Sequence, residues 1–215
     1  MNNGRKIPTI DDLIALPEPN DAQISPDGRF VTYTLTKPDF DNNEYLSQIW
    51  LVANEENATP RQLTFANQSS QSPRWSPDGQ WLAFISKRAE DDEAQIYRLA
   101  LQGGESERLT ELKTGPSQIA WSPDGARIAF IAADPETEAD KERKKKYGDY
   151  TVENEDYQYN HLWLLEIESK KCRKVTGGKQ FHVHSFDWSP DSKRIAFAAA
   201  LHGDLAITHE TIKYK

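Results

Sequence analysis

Five histidines, one cysteine and a set of evenly placed Ser-Asp pairs are the residues of this 215-residue chain whose types could support chemistry. A hydrolase nucleophile would stand in a G-x-S-x-G string on a strained strand-to-helix turn. The nearest string, Gly115-Pro116-Ser117-Gln118-Ile119, lacks the second glycine and leads into a strand pattern. Gly177-Gly178-Lys179 lacks the flanking spacing of a phosphate-binding loop. No dinucleotide fingerprint and no zinc-type Cys/His pairing occurs. His182 and His184 flank Val183, so on a strand they share one face, as two metal ligands could. His202 and His209 follow, but no acidic third ligand stands at a defined spacing, so these read as surface histidines or histidines between packed sheets. Cys172 reads as a strand filler, not a reactive thiol.

The aspartates explain themselves by repetition. Asp27, Asp78, Asp124 and Asp191 each stand in one string: Ile24-Ser25-Pro26-Asp27-Gly28, Trp75-Ser76-Pro77-Asp78-Gly79, Trp121-Ser122-Pro123-Asp124-Gly125 and Trp188-Ser189-Pro190-Asp191-Ser192. Pro pre-sets the second position of a type I turn, Ser and Asp bond the local backbone, and Gly accepts the left-handed conformation that follows. Four identical placements make the aspartate a turn residue, not a catalytic carboxylate. Ser192 replaces the glycine in the last copy, and a left-handed serine there carries strain of roughly 1 kcal/mol.

The elements that hold these turns repeat as well. A large, small, aromatic strand follows each turn: Val31-Thr32-Tyr33, Leu82-Ala83-Phe84, Ile128-Ala129-Phe130 and Ile195-Ala196-Phe197. A third strand recurs as Gln48–Val52, Gln95–Leu99 and His161–Leu165, and a more polar fourth as Arg61–Thr64, Arg108–Thr110 and Lys174–Thr176. Four short strands per unit of about 45 residues is the signature of a β-propeller blade. The expected fold is all-β, a partial propeller of four-stranded antiparallel blades, three complete and a fourth incomplete. A lead-in at 1–20 carries a short helix over 9–16, with Thr9 as N-cap and Pro17 and Pro19 ending it. The blades are placed at 21–71, 72–117, 118–184 and 185–215. The third contains a charged excursion, 134–160, with Lys141–Lys146 and Tyr147, Tyr150, Tyr157 and Tyr159, which reads as a solvated loop or short surface helix, the alternative being a lid or oligomer contact through the tyrosines. In the fourth, Asp204–Thr208 makes a poor third strand, and no fourth strand follows.

Charged residues at 28%, a mean hydropathy of −0.78, a net charge of −8 and a pI near 5.2 exclude nucleic acid and anionic membranes as main partners. No apolar run follows Met1–Lys6, so neither a signal peptide nor a membrane span is expected, and the sequons at Asn57 and Asn67 are incidental. One cysteine fits a reducing compartment, and the reading is cytoplasmic.

The repeated S-P-D-G hairpin, the I-A-F strand and the R-x-L-T strand resemble propellers of the TolB and prolyl oligopeptidase type. The entry Ile10-Asp11-Asp12-Leu13, then Pro19–Gly28, and the approach Glu155-Asp156-Tyr157 to His161-Leu162-Trp163 are similar to the acylaminoacyl peptidase and dipeptidyl aminopeptidase branch. The resemblance spans residues 9 to about 205 and implies a seven- or eight-bladed propeller ahead of an α/β-hydrolase domain with a Ser-Asp-His triad. In that branch the propeller restricts entry to short peptides. No triad residue can be carried onto this chain, so no catalytic, cofactor-binding or metal residue is assigned, and no cofactor. The implied partners are the remaining blades and the hydrolase domain. The ending Thr208–Lys215 departs from the expected continuation, as a premature stop or frameshift would produce. A non-enzymatic TolB-like interaction module is the alternative reading. An open propeller should leave apolar residues such as Ile24, Val31, Trp188, Ile195 and Phe197 partly exposed, and the isolated chain partly molten, self-associating, or both.

Overall fold

The computed structural model describes residues 8–65, 67–148, 159–178 and 181–201. The expectations for His202, His209, Asp204–Thr208, Thr208–Lys215, Lys179, Glu155-Asp156-Tyr157 and Tyr150 fall outside these residues. Helix α1 (Ile10–Ile14) starts at a capping box in which Thr9 and Asp12 bond each other's backbone amides. It ends at Ala15, ahead of both prolines. Strand β1 (Glu18–Ile24) begins inside the segment read as lead-in, with Pro19 on an edge strand, where proline is tolerated.

The remaining strands form hairpin-linked sheets. Blade 1 adds β2 (Phe30–Asp39), β3 (Glu44–Ala53) and β4 (Arg61–Gln62) to β1. Blade 2 contains β5 (Ser70–Trp75), β6 (Trp81–Ser86), β7 (Gln95–Ala100) and β8 (Glu107–Arg108). Blade 3 contains β9 (Pro116–Trp121), β10 (Arg127–Ala133), β11 (Asn160–Glu166) and β12 (Cys172–Lys174). Helix α2 (Glu138–Tyr147) lies in the excursion between β10 and β11. Blade 4 is a pair, β13 (Phe181–Trp188) with β14 (Ile195–Leu201), among the described residues. All pairings are antiparallel and follow chain order within each sheet. The chain is therefore an all-β run of propeller blades.

The core is divided among the blade interfaces. Ile49 of blade 1 packs with Leu82, Phe84, Tyr97 and Leu99 of blade 2. Ala83, Ile85, Ile96 and Leu109 of blade 2 pack with Ile128 and Phe130 of blade 3. Ala129, Ile131, Leu162 and Leu164 of blade 3 pack with Val183, Phe186, Ile195 and Phe197 of blade 4. The second strand thus has a fixed polarity. The large residues of its repeated triplet, Leu82 and Phe84 or Ile128 and Phe130, face the preceding blade, and the small residue faces the following one beside Ile85 or Ile131.

That polarity corrects the expected exposure. Ile195 and Phe197 are buried, 3% and 7% exposed, because they point back onto blade 3. The open residue of β14 is Ala196. Ile24, with no preceding blade against it among the described residues, is 65% exposed, and Val31 is half-buried. Trp188 is half-buried too, but it packs against the blade 3–blade 4 cluster.

Candidate functional site

The four turns form one rim, and each is built in the same way. The first residue accepts an i+3 amide: Gly28 on Ser25, Gly79 on Ser76, Gly125 on Ser122 and Ser192 on Ser189. The serine hydroxyl donates to the aspartate two residues on, and it accepts the amide of Phe30, Trp81, Arg127 or Arg194. The aspartate accepts the amide at Arg29, Gln80, Ala126 or Lys193. These bonds favour the ionised carboxylate. The serine hydroxyl is the leading cause that lowers Asp78, Asp124 and Asp191, and at Asp27 the Ser25 hydroxyl, then the Arg29 amide and guanidinium, bring the carboxyl down to about 2. Ser192 is left-handed, with φ 59°, as Gly28, Gly79 and Gly125 are. Its strain is offset across the blade boundary, where Ser192 Oγ accepts the Asp124 amide at 2.9 Å and its carbonyl takes Arg127 at 2.7 Å.

The tryptophan before the second, third and fourth turns is a clasp. Indole Nε1 of Trp75, Trp121 and Trp188 donates to the carbonyls of Gln23, Arg74 and Ala120, each on the inner strand of the preceding blade. Each inner strand also breaks register against its neighbour, with Asp21 and Ser72 at positive φ. The break turns Asp21 toward Arg74, whose Nη1 lies 2.9 and 2.8 Å from the two carboxylate oxygens and 2.7 Å from the Pro73 carbonyl. Sequence reasoning missed this pair. Its one signal was that the copies disagree there, with Gln23, Arg74, Ala120 and Asp187 in one register position.

One arrangement in blade 3 has the outline of a nucleophile, base and acid. Thr176 Oγ1 lies 3.2 Å from His161 Nδ1, and His161 Nε2 lies 3.4 Å from Asp134 Oδ2. The repeat shows that it is a clamp. Thr64 donates to Gln48 Oε1 and Thr110 to Gln95 Oε1, while each threonine accepts the amide of Ile49 or Ile96. Thr176 accepts the Leu162 amide in the same way, and His161 stands where the other blades have glutamine. His161 is 0% exposed, so no substrate reaches it. Burial is the main influence on its ring and lowers its proton affinity.

The other sequence candidates are dispersed. Ser117 lies in β9, with its hydroxyl toward the Ile131 carbonyl. Cys172 is half-buried in β12, and burial pushes its thiol up to about 11. His182 and His184 sit 5.0 Å apart, and His182 takes the Asn160 amide at 3.2 Å. Among the described residues no third His, Cys, Asp or Glu completes a metal-binding group. No described helix is long and apolar enough to cross a membrane.

Repeated hairpins, indole clasps and layered interfaces define a β-propeller of TolB type. Residues 18–152 match the model of the TolB beta propeller domain, and the chain belongs to that family. Over 211 residues it is 33% identical to the uncharacterized peptidase YuxL of Bacillus subtilis, which covers 92% of this chain but 32% of the relative. The chain thus spans about a third of that relative's length. Among solved structures, an acylaminoacyl peptidase of Pyrococcus horikoshii superposes with TM-score 0.65 at 17% identity, covering 94% of this chain and 33% of that one. The propeller domain of the Trilobed protease from Pyrococcus furiosus superposes with TM-score 0.58 at 17% identity, covering 92% and 56%.

Proposed function

We propose that this chain is the front portion of the propeller of a cytoplasmic serine exopeptidase or oligopeptidase. It contributes substrate gating, and the bond-making residues belong to an α/β-hydrolase domain outside it. The observation that carries this reading is partial coverage: nearly the whole chain aligns with about a third of a peptidase. The remaining blades and the hydrolase domain are its partners, short peptides are the substrates of the assembled protein, and no metal or cofactor is required. The clamp of His161 and Thr176 supports the reading, because the serine-protease logic needs an accessible nucleophile beside its base.

The purified 215-residue chain should not hydrolyse acyl-amino-acid or dipeptidyl chromogenic substrates above buffer. Turnover that survives repurification and titrates with a serine-directed phosphonate would overturn the assignment. A non-enzymatic TolB-like module is favoured instead by the family match itself. Joining the chain to the sequence encoded after it separates the two: peptidase activity supports the first reading, and an inert, fully bladed ring supports the second.

A further inference from the structure

The rim repeats the same corner at each blade boundary, and one corner carries its own guanidinium. Between blades 3 and 4, Arg127 lies 5.3 Å from the Trp188 ring centroid. Its Nη2 donates to the Ser192 carbonyl at 2.7 Å and stands 3.5 Å from Asp124 Oδ2. Between blades 2 and 3 the same register positions hold Trp81 for Arg127, Trp121 for Trp188, Gly125 for Ser192 and Asp78 for Asp124. Here an open cleft of about 470 Å³ is lined by these residues with Pro77, Pro123 and Arg98.

The charges single out the same corner. Asp27 pairs with Arg29 at 2.6 Å, Asp124 stands beside Arg127, and Asp191 feels Arg194 and Lys193. Asp78 has no basic partner among the described residues, although the Ser76 hydroxyl and Gln80 amide keep its carboxylate ionised. Arg98 lines the cleft but is already committed. Its guanidinium stacks on Trp81 at 4.2 Å, and its Nε donates to Glu107 at 2.6 Å.

We propose that the cleft between the turns of blades 2 and 3 binds the guanidinium of an arginine side chain presented by an extended peptide. The peptide's arginine takes the place that Arg127 holds one blade further on. It stacks on Trp121, pairs with Asp78 and donates to the Gly125 carbonyl. A planar, always-charged fork that stacks on aromatic faces suits this lining better than an ammonium does.

Calorimetric titration of the full 215-residue chain with acetyl-Gly-Arg-Gly-amide tests the proposal, with the lysine and citrulline peptides and free arginine as comparisons. The arginine peptide should bind, and the isosteric, uncharged citrulline peptide should bind at least about tenfold more weakly. Trp81→Arg, which installs the residue type of blades 3 and 4, should abolish binding by filling the cleft from within. Asp78→Asn keeps an oxygen for Ser76 and Gln80 and should weaken binding about tenfold while the circular dichroism spectrum is unchanged. Equal binding of the arginine and citrulline peptides, or full affinity in Asp78→Asn, would overturn the proposal. Free arginine binding as tightly as the peptide would overturn the peptide part of it.

Discussion

At the scale of single residues, His161 is the departure with the clearest measurable effect. Its ring is buried against Phe181, faced by Asp134, Lys174, His182 and the Gly178 backbone, and held neutral mainly by burial. Unfolding returns the ring to its ordinary value of 6.5. Below that pH the unfolded chain takes up a proton that the folded chain refuses, so acid favours unfolding. The stabilisation is complete above the unfolded value and drains away as pH falls, and half-buried His182 contributes in the same direction. His161→Gln restores the residue that blades 1 and 2 use and removes the titration. Its melting temperature should fall less than the parent's between about pH 7.5 and about pH 5.5. Parallel melting curves across that range would refute the neutral clamp. The clamp itself was hidden in the sequence, because Gln-to-Thr spacing across two strands has no local signature. The turns were legible because Pro, Asp and Gly each act on their own backbone.

Among elements, α2 and the indole clasps sit at opposite ends of the stability range. Helix α2 has ten residues, none of them buried, and its order rests on the Thr137–Asp140 capping box and on pairs such as Glu138 with Lys141 and Glu136 with Lys144. Isolated helices shorter than about 12–15 residues are marginal in water. Brief trypsin treatment should therefore cut first within Lys141–Lys146. First cleavage at Arg98 or Arg127, both in paired strands, would contradict the blade assignment. The clasps behave oppositely. Trp121→Phe keeps most of the apolar contact and deletes the bond to the Arg74 carbonyl, which should cost about 1 kcal/mol of stability in denaturant titration. Charge density and scarce aliphatics made the excursion legible as surface structure. The Trp at three of four turns was visible as a pattern, but its partner lies 47 to 68 residues away on another sheet and could not be read from spacing.

For the whole molecule, the polarity of the blades decides which surface is sticky. The open face of blade 1 presents Val31, Tyr33 and Leu35 beside Pro17, Pro19 and Ala22, around a groove of about 780 Å³. Burying two such side chains is worth roughly 3–6 kcal/mol. Among the described residues blade 4 turns Ala196 outward where blade 1 turns Val31 and Tyr33, so the two ends of the run are not alike. Self-association of the isolated chain should then be head-to-tail and concentration-dependent. Leu35→Lys should suppress it in sedimentation experiments without altering the circular dichroism spectrum, and a monodisperse parent with one sharp melting transition would refute it. The same polarity bears on synthesis. A ribosome adds about 5–20 residues per second, so each blade emerges seconds after the one before it. Because the large residues of the repeated triplet point backward, that face of each newly made blade meets a finished surface, while Ile85 and Ile131 on the other face wait for the next blade. Among the described residues, blade 1 has no earlier blade against its face of Val31, Tyr33 and Leu35.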